Sequence, residues 1–147
     1  MNHYTSKNFA LTRSVGFLLN KARNMIIAEM DAALRDLEIT SQHMGILLSL
    51  KSGVATTPFE LSKVLGIDTG LMTRMLDKLE DKKLLKRVRS VDDRRVINLE
   101  MTARGEAVTT QLPQIAPQVL NARVKNFSKD EFDELRRLLG KFIGDSE

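Results

Sequence analysis

Thr69, Gly70, Thr73 and Arg74 fall within a short stretch of this chain and form a set of groups suited to reading hydrogen-bonding edges rather than to breaking bonds. An arginine guanidinium can bond guanine O6 and N7 as a fork, a threonine can donate to a base or lay its methyl on thymine, and a glycine lets a backbone come close. Further on, Asp93, Arg94 and Arg95 place guanidinium groups beside a carboxylate. A guanidinium at a hairpin tip suits the narrow, negative minor groove of A·T-rich DNA. Between the two groups lie Lys78, Lys82, Lys83, Arg87 and Arg89, of the type that touches phosphates and fixes register without reading sequence.

These residues need elements to hold them. Thr57 as N-cap, Pro58 at the first helical position and Glu60 three residues after the cap predict a helix from Pro58 to Leu65, stopped by Gly66. Asp68 can cap a second helix from Thr69 to about Lys82, with Leu71, Met72, Met75, Leu76 and Leu79 on one side. Its opposite side carries Gly70, Thr73, Arg74 and Asp77, which gives the shape of a helix-turn-helix with an outward reading face. Leu84 to Arg89 and Val96 to Met101 loosely alternate apolar and polar residues, and the short polar link between them makes a hairpin. The fold expected is mainly α with a small β-hairpin wing, a winged helix-turn-helix over about residues 40–102.

At these residues the chain resembles the MarR family of bacterial transcriptional regulators. ELSKVLGID, TRMLDKLEDKKLLKR and DDRRVINLEMTARGE are similar to the family's first helix, recognition helix and wing with its trailing Leu-x-x-Thr-x-x-Gly, here Leu99, Thr102 and Gly105. Met101 departs from the usual Leu-Thr pair. The resemblance implies a homodimer on a pseudo-palindromic operator, usually a repressor and often released by a small ligand. The family's Asp-x-Arg falls on Asp93 and Arg95, so the carboxylate is expected to orient a neighbouring arginine and to leave Arg94 as the groove probe.

Composition narrows the options. The 147 residues suit one domain with its own core. There is no cysteine, so neither a disulfide framework nor sensing by thiol oxidation is expected. The only histidines are His3 and His43, and no Ser-His-Asp signature, HExxH, P-loop or CxxC spacing is present, so no enzyme, metal or cofactor is expected. Near the start, Val15 to Leu19 is too short an apolar run for a signal or a membrane span, which predicts a cytoplasmic protein without a membrane partner. The net charge of +4 is uneven: Lys82 to Arg95 holds seven basic residues against Asp92 and Asp93.

The flanks explain why two copies should act together. Residues 7–37 read as one long amphipathic helix whose apolar band, from Leu11 to Leu37, is too wide for its own winged region to cover. Thr40 or Ser41 starts a helix through Leu50, with Met44, Leu47 and Leu48 inward. A further helix capped by Thr102 is expected to run bent through Pro113 and Pro117, and Ser128 with Glu131 opens a last helix ended by Gly144. Residues 7–37 and 103–147 are thus expected to be dimerisation helices, and the DNA partner an inverted repeat. Arg13, Asn20 and His43 are candidate contacts for an aromatic carboxylate or phenol effector between the helical and winged regions. The rival reading is a ligand-independent winged-helix module, architectural or for protein interaction.

Overall fold

The computed structural model describes residues 1–145. The order of elements is α1 (Val15–Ala33), α2 (Ser41–Ser52), α3 (Pro58–Leu65), α4 (Thr69–Asp81), β1 (Leu85–Arg89), β2 (Ile97–Met101), α5 (Ala103–Val124) and α6 (Lys129–Ile143). Helix α3 has the expected bounds. Thr57 Oγ1 accepts from the Glu60 N–H at 3.2 Å, while Glu60 Oε2 accepts from the Thr56 N–H at 3.1 Å. Gly66 ends it at φ +63°, a left-handed conformation that costs glycine nothing, and this lets the chain turn sharply into α4.

The apolar face of α4 is buried as its periodicity requires, with Met72, Met75, Leu76 and Leu79 in the core and Leu71 packed against it. They meet Ile46 and Leu47 of α2, Leu61 of α3, Leu84, Leu85 and Leu99 beside and on the hairpin, Leu112 of α5, and Met30 and Leu34 at the end of the first helical segment. Each fully buried leucine contributes on the order of 2 kcal/mol relative to exposure. This core is what sets α4 against the wing.

The wing is a two-stranded antiparallel hairpin in which Leu85 faces Met101 and Arg89 faces Ile97. Its inner strand is anchored from below, since the Leu99 N–H donates to the Thr56 carbonyl at 2.8 Å. Thr102 then ties the hairpin to α5. Its hydroxyl donates to the Lys83 carbonyl at 2.6 Å and accepts from the Gly105 N–H at 3.0 Å, and its own N–H reaches the Leu84 carbonyl at 3.1 Å.

The first helical segment corrects the expectation of one helix over residues 7–37. A 3-10 turn, Leu11–Arg13, comes first, and then Ser14 turns extended at ψ 147° and caps α1 by accepting from the Phe17 N–H. After Ala33 a second 3-10 turn, Arg35–Leu37, leads to Glu38 at φ +56°. The apolar spacing hides the break because Leu11 and Val15 keep a helical interval on either side of it, whereas the serine oxygen competes for the backbone. Inside α2, Ile46 is fully buried and Met44 and Leu48 only partly, so the helix is rotated relative to the expected inward set.

Helix α5 runs unbroken through Pro113 and Pro117. In α6 the capping box of Ser128 and Glu131 forms as expected, with Glu131 Oε2 accepting from the Ser128 N–H at 2.8 Å. No residue of α6 is buried, although Phe132, Leu135, Leu138, Leu139, Phe142 and Ile143 lie along it. Among the described residues no helix is long and apolar enough to cross a membrane.

Candidate nucleic-acid interface

The start of α4 is held by Asp68, whose carboxylate oxygens accept from the Gly70 N–H at 3.1 Å and the Leu71 N–H at 3.0 Å. These backbone donors, Leu71 first, hold the carboxyl below its usual range. Thr69, Gly70, Thr73 and Arg74 are all exposed on this first turn and a half. The Thr73 hydroxyl donates to the Thr69 carbonyl at 2.9 Å, so what it offers outward is an acceptor and a methyl rather than a donor. A Cβ on Gly70 would meet nothing closer than 3.5 Å, so the fold itself does not require glycine there.

At the wing tip Asp93 grips Arg95. Its two oxygens accept from Arg95 Nε at 3.1 Å and from Nη2 at 3.3 Å, and one also accepts from the Arg95 N–H at 3.0 Å. The Arg95 side chain nonetheless stays 91% exposed, so its guanidinium is oriented without being covered. The Asp93 carboxyl is held low chiefly by that guanidinium. For both aspartates the folded form favours the carboxylate. Their stabilisation is therefore present above the ordinary carboxylate range and is lost only as pH falls through the lowered values. Arg94 is exposed, and among the described residues it makes no ion pair; the same holds for Arg74, Lys78 and Arg89.

Two expected phosphate contacts have other partners. Arg87 bridges Asp77 at 2.8 Å and Glu80 at 3.2 Å, and its own N–H donates to Glu80 Oε2 at 3.1 Å. Lys82 Nζ donates to the Glu38 carbonyl at 2.8 Å. Neither set of partners is marked in the sequence: Asp77 and Glu80 lie on a helix and Arg87 on a strand whose relative placement is tertiary, and the acceptor for Lys82 is a backbone carbonyl 44 residues away. Lys86 lies 3.4 Å from Glu100 across the hairpin. The cationic face is thus narrower than the run of seven basic residues implied.

The three effector candidates are not brought together. Arg13 is exposed in the first 3-10 turn, and Asn20 flanks a shallow groove on α1 with Phe17, Asn24 and Met25. His43 is part of the α2 cap: it is 5% exposed, and its Nδ1 accepts from the Thr40 N–H at 3.2 Å while Thr40 Oγ1 accepts from the His43 N–H. Burial first, then Lys82 and Lys78, push its pKa below 6.5, against a smaller upward pull from Asp31. The neutral ring is therefore the folded form. As pH falls below about 6.5 the unfolded chain takes up the proton first, and stability declines until the lower folded value is passed. His43→Gln keeps a capping acceptor and removes this titration, so the melting-temperature drop between pH 8 and pH 5 should be smaller than in the wild type. Equal drops in thermal melts would refute the assignment.

A helix-turn-helix with an exposed hydroxyl and cationic face, carrying beside it an arginine-tipped hairpin, defines a winged helix-turn-helix regulator. The chain belongs to the MarR family, whose model matches residues 39–97. It is 33% identical over 127 residues to the multiple antibiotic resistance protein MarR of Escherichia coli K12, spanning 86% of each chain. A cysteine-to-serine mutant of E. coli MarR complexed with operator DNA superposes with a TM-score of 0.81 at 31% identity, covering 87% of this chain and 92% of that one. The apo form of wild-type E. coli MarR gives 0.72 at 32% identity over 88% and 96%. Members of this family are transcription regulators and not enzymes.

Proposed function

We propose that the chain is a homodimeric repressor that binds an inverted-repeat operator and is released by a small aromatic acid or phenol. One observation carries the DNA limb: Arg74 and Thr73 stand exposed on a capped helix start beside a wing whose Arg95 is oriented yet uncovered. The closer likeness to the DNA-complexed relative than to the apo form supports the same reading. Two recognition helices roughly 34 Å apart would enter successive major grooves. The wing arginines would enter the flanking minor grooves, with Arg95 pre-aimed by Asp93 and Arg94 beside it. The site of action is the nucleoid, in the cytoplasm.

The dimer limb rests on α6, an amphipathic helix that buries nothing in its own chain. The effector limb rests on chemistry alone: Asn20 flanks a partly apolar groove on α1, and Arg13 lies exposed in the turn before that helix. A ligand there releases DNA only if it binds a conformer with wrongly spaced recognition helices more tightly than the DNA-competent one.

The deciding test is a gel shift against the DNA upstream of the protein's own gene, with excess non-specific competitor. Selective retention is expected, and Arg74→Ala should weaken it by about 1–3 kcal/mol while non-specific binding changes little. Equal binding to every duplex would favour the architectural module instead.

A further inference from the structure

Arg87 lies in the basic run of the wing but points its charge inward. Its guanidinium spans Asp77 and Glu80 on α4 with bonds of 2.8 and 3.2 Å, its backbone N–H adds a third to Glu80 at 3.1 Å, and its side chain is only 25% exposed. A planar guanidinium can satisfy two carboxylates at once, which an ammonium point charge cannot do with the same orientation. The residue sits at the middle of the hairpin, opposite Leu99, whose N–H is bound to the Thr56 carbonyl. The wing is therefore held on one side by α4 and on the other by the segment before α3.

We propose that Arg87 is a positioning residue that couples the two DNA-reading elements, so that the wing tip meets the minor groove in register with α4 in the major groove. The inference rests on the operator-binding reading and assigns its specificity a further residue. At about 3.3 Å per residue the tip begins roughly 10 Å beyond the clamp, so a small rotation at Arg87 becomes a larger displacement of Arg94 and Arg95. The clamp has a second effect. Asp77 is exposed on the reading helix, and the guanidinium offsets the repulsion that this carboxylate and Glu80 would exert on phosphates.

Four variants test this: Arg87→Lys, Arg87→Met, Asp77→Asn and the double variant Asp77→Asn with Arg87→Met. Amide hydrogen exchange across residues 88–98 is measured without DNA, and affinities for the upstream fragment and for a random duplex are measured over a salt series. In the clamp reading Arg87→Met speeds exchange in the wing. Arg87→Lys keeps the wild-type affinity for random duplex and the wild-type salt slope, yet loses about tenfold for the selected fragment, and the double variant is no worse than Arg87→Met alone. Unchanged exchange in Arg87→Met overturns the clamp whatever the DNA results. So does an Arg87→Lys protein of full affinity together with an Arg87→Met salt slope reduced by about 0.9, which marks a phosphate contact. A wild-type protein that fails to select the fragment, with wing exchange still dependent on Arg87, overturns the operator reading and with it the specificity role.

Discussion

Gly105→Ala is expected to lower the unfolding free energy by about 3 kcal/mol, among the largest effects available to a single methyl group. An added Cβ would stand 2.0 Å from the Leu84 carbonyl oxygen and 2.8 Å from Met101 Cγ. The first of these is backbone and cannot swing aside. Its neighbours are pinned as well, because the Leu84 carbonyl already accepts from the Thr102 N–H and the Gly105 N–H donates to the Thr102 hydroxyl. Accommodating the methyl means lifting α5 off the wing root. Denaturant unfolding would show a lower midpoint and thermal unfolding a fall of roughly 10 °C. A loss below about 1 kcal/mol would mean that the contact relaxes freely and that the Thr-x-x-Gly turn is not a rigid join.

Charges placed on the exposed face of α6 test the proposed dimer, and their effect on DNA binding is expected to match or exceed that of losing one side chain of the reading face. Leu138→Glu with Phe142→Glu places two charges on one face of α6, at positions 47% and 62% exposed in the single chain. Because neither side chain supports the fold of its own chain, the stability of the winged region is expected to be unchanged. If the same face covers a second copy, the charges are buried unpaired and the dimer separates. Light scattering should then report a monomer, and affinity for the upstream fragment should fall by about a hundredfold or more, since binding of the second half-site is no longer intramolecular. A variant that stays dimeric would move the interface elsewhere. A monomer that keeps full affinity would remove the need for an inverted repeat.

How far the chain could be read in advance differs from element to element. Helix α3 and the start of α4 were legible to the residue because Thr57, Pro58, Glu60, Gly66 and Asp68 act within a few positions of themselves. The capping box of α6 and the join after the wing were legible for the same reason. The break at Ser14 was not, since the apolar interval survives it and only the serine hydrogen bond to the Phe17 N–H reveals it. His43 looked available to a ligand because helical position says nothing of depth. Arg87 and Lys82 looked available to phosphates because their partners lie on other elements.

Local codes thus determined the winged helix-turn-helix, its caps and the outward set Thr69, Gly70, Thr73 and Arg74. Only the tertiary structure decided which cations remain free to meet DNA. Side-chain charge is written in the sequence, but whether a guanidinium is spent on Asp77 and Glu80 or left in solvent depends on how a helix and a hairpin pack across a shared core. Capping acts over three or four residues and is decided by neighbours; ion pairing acts over a few ångströms of space and is decided by the fold.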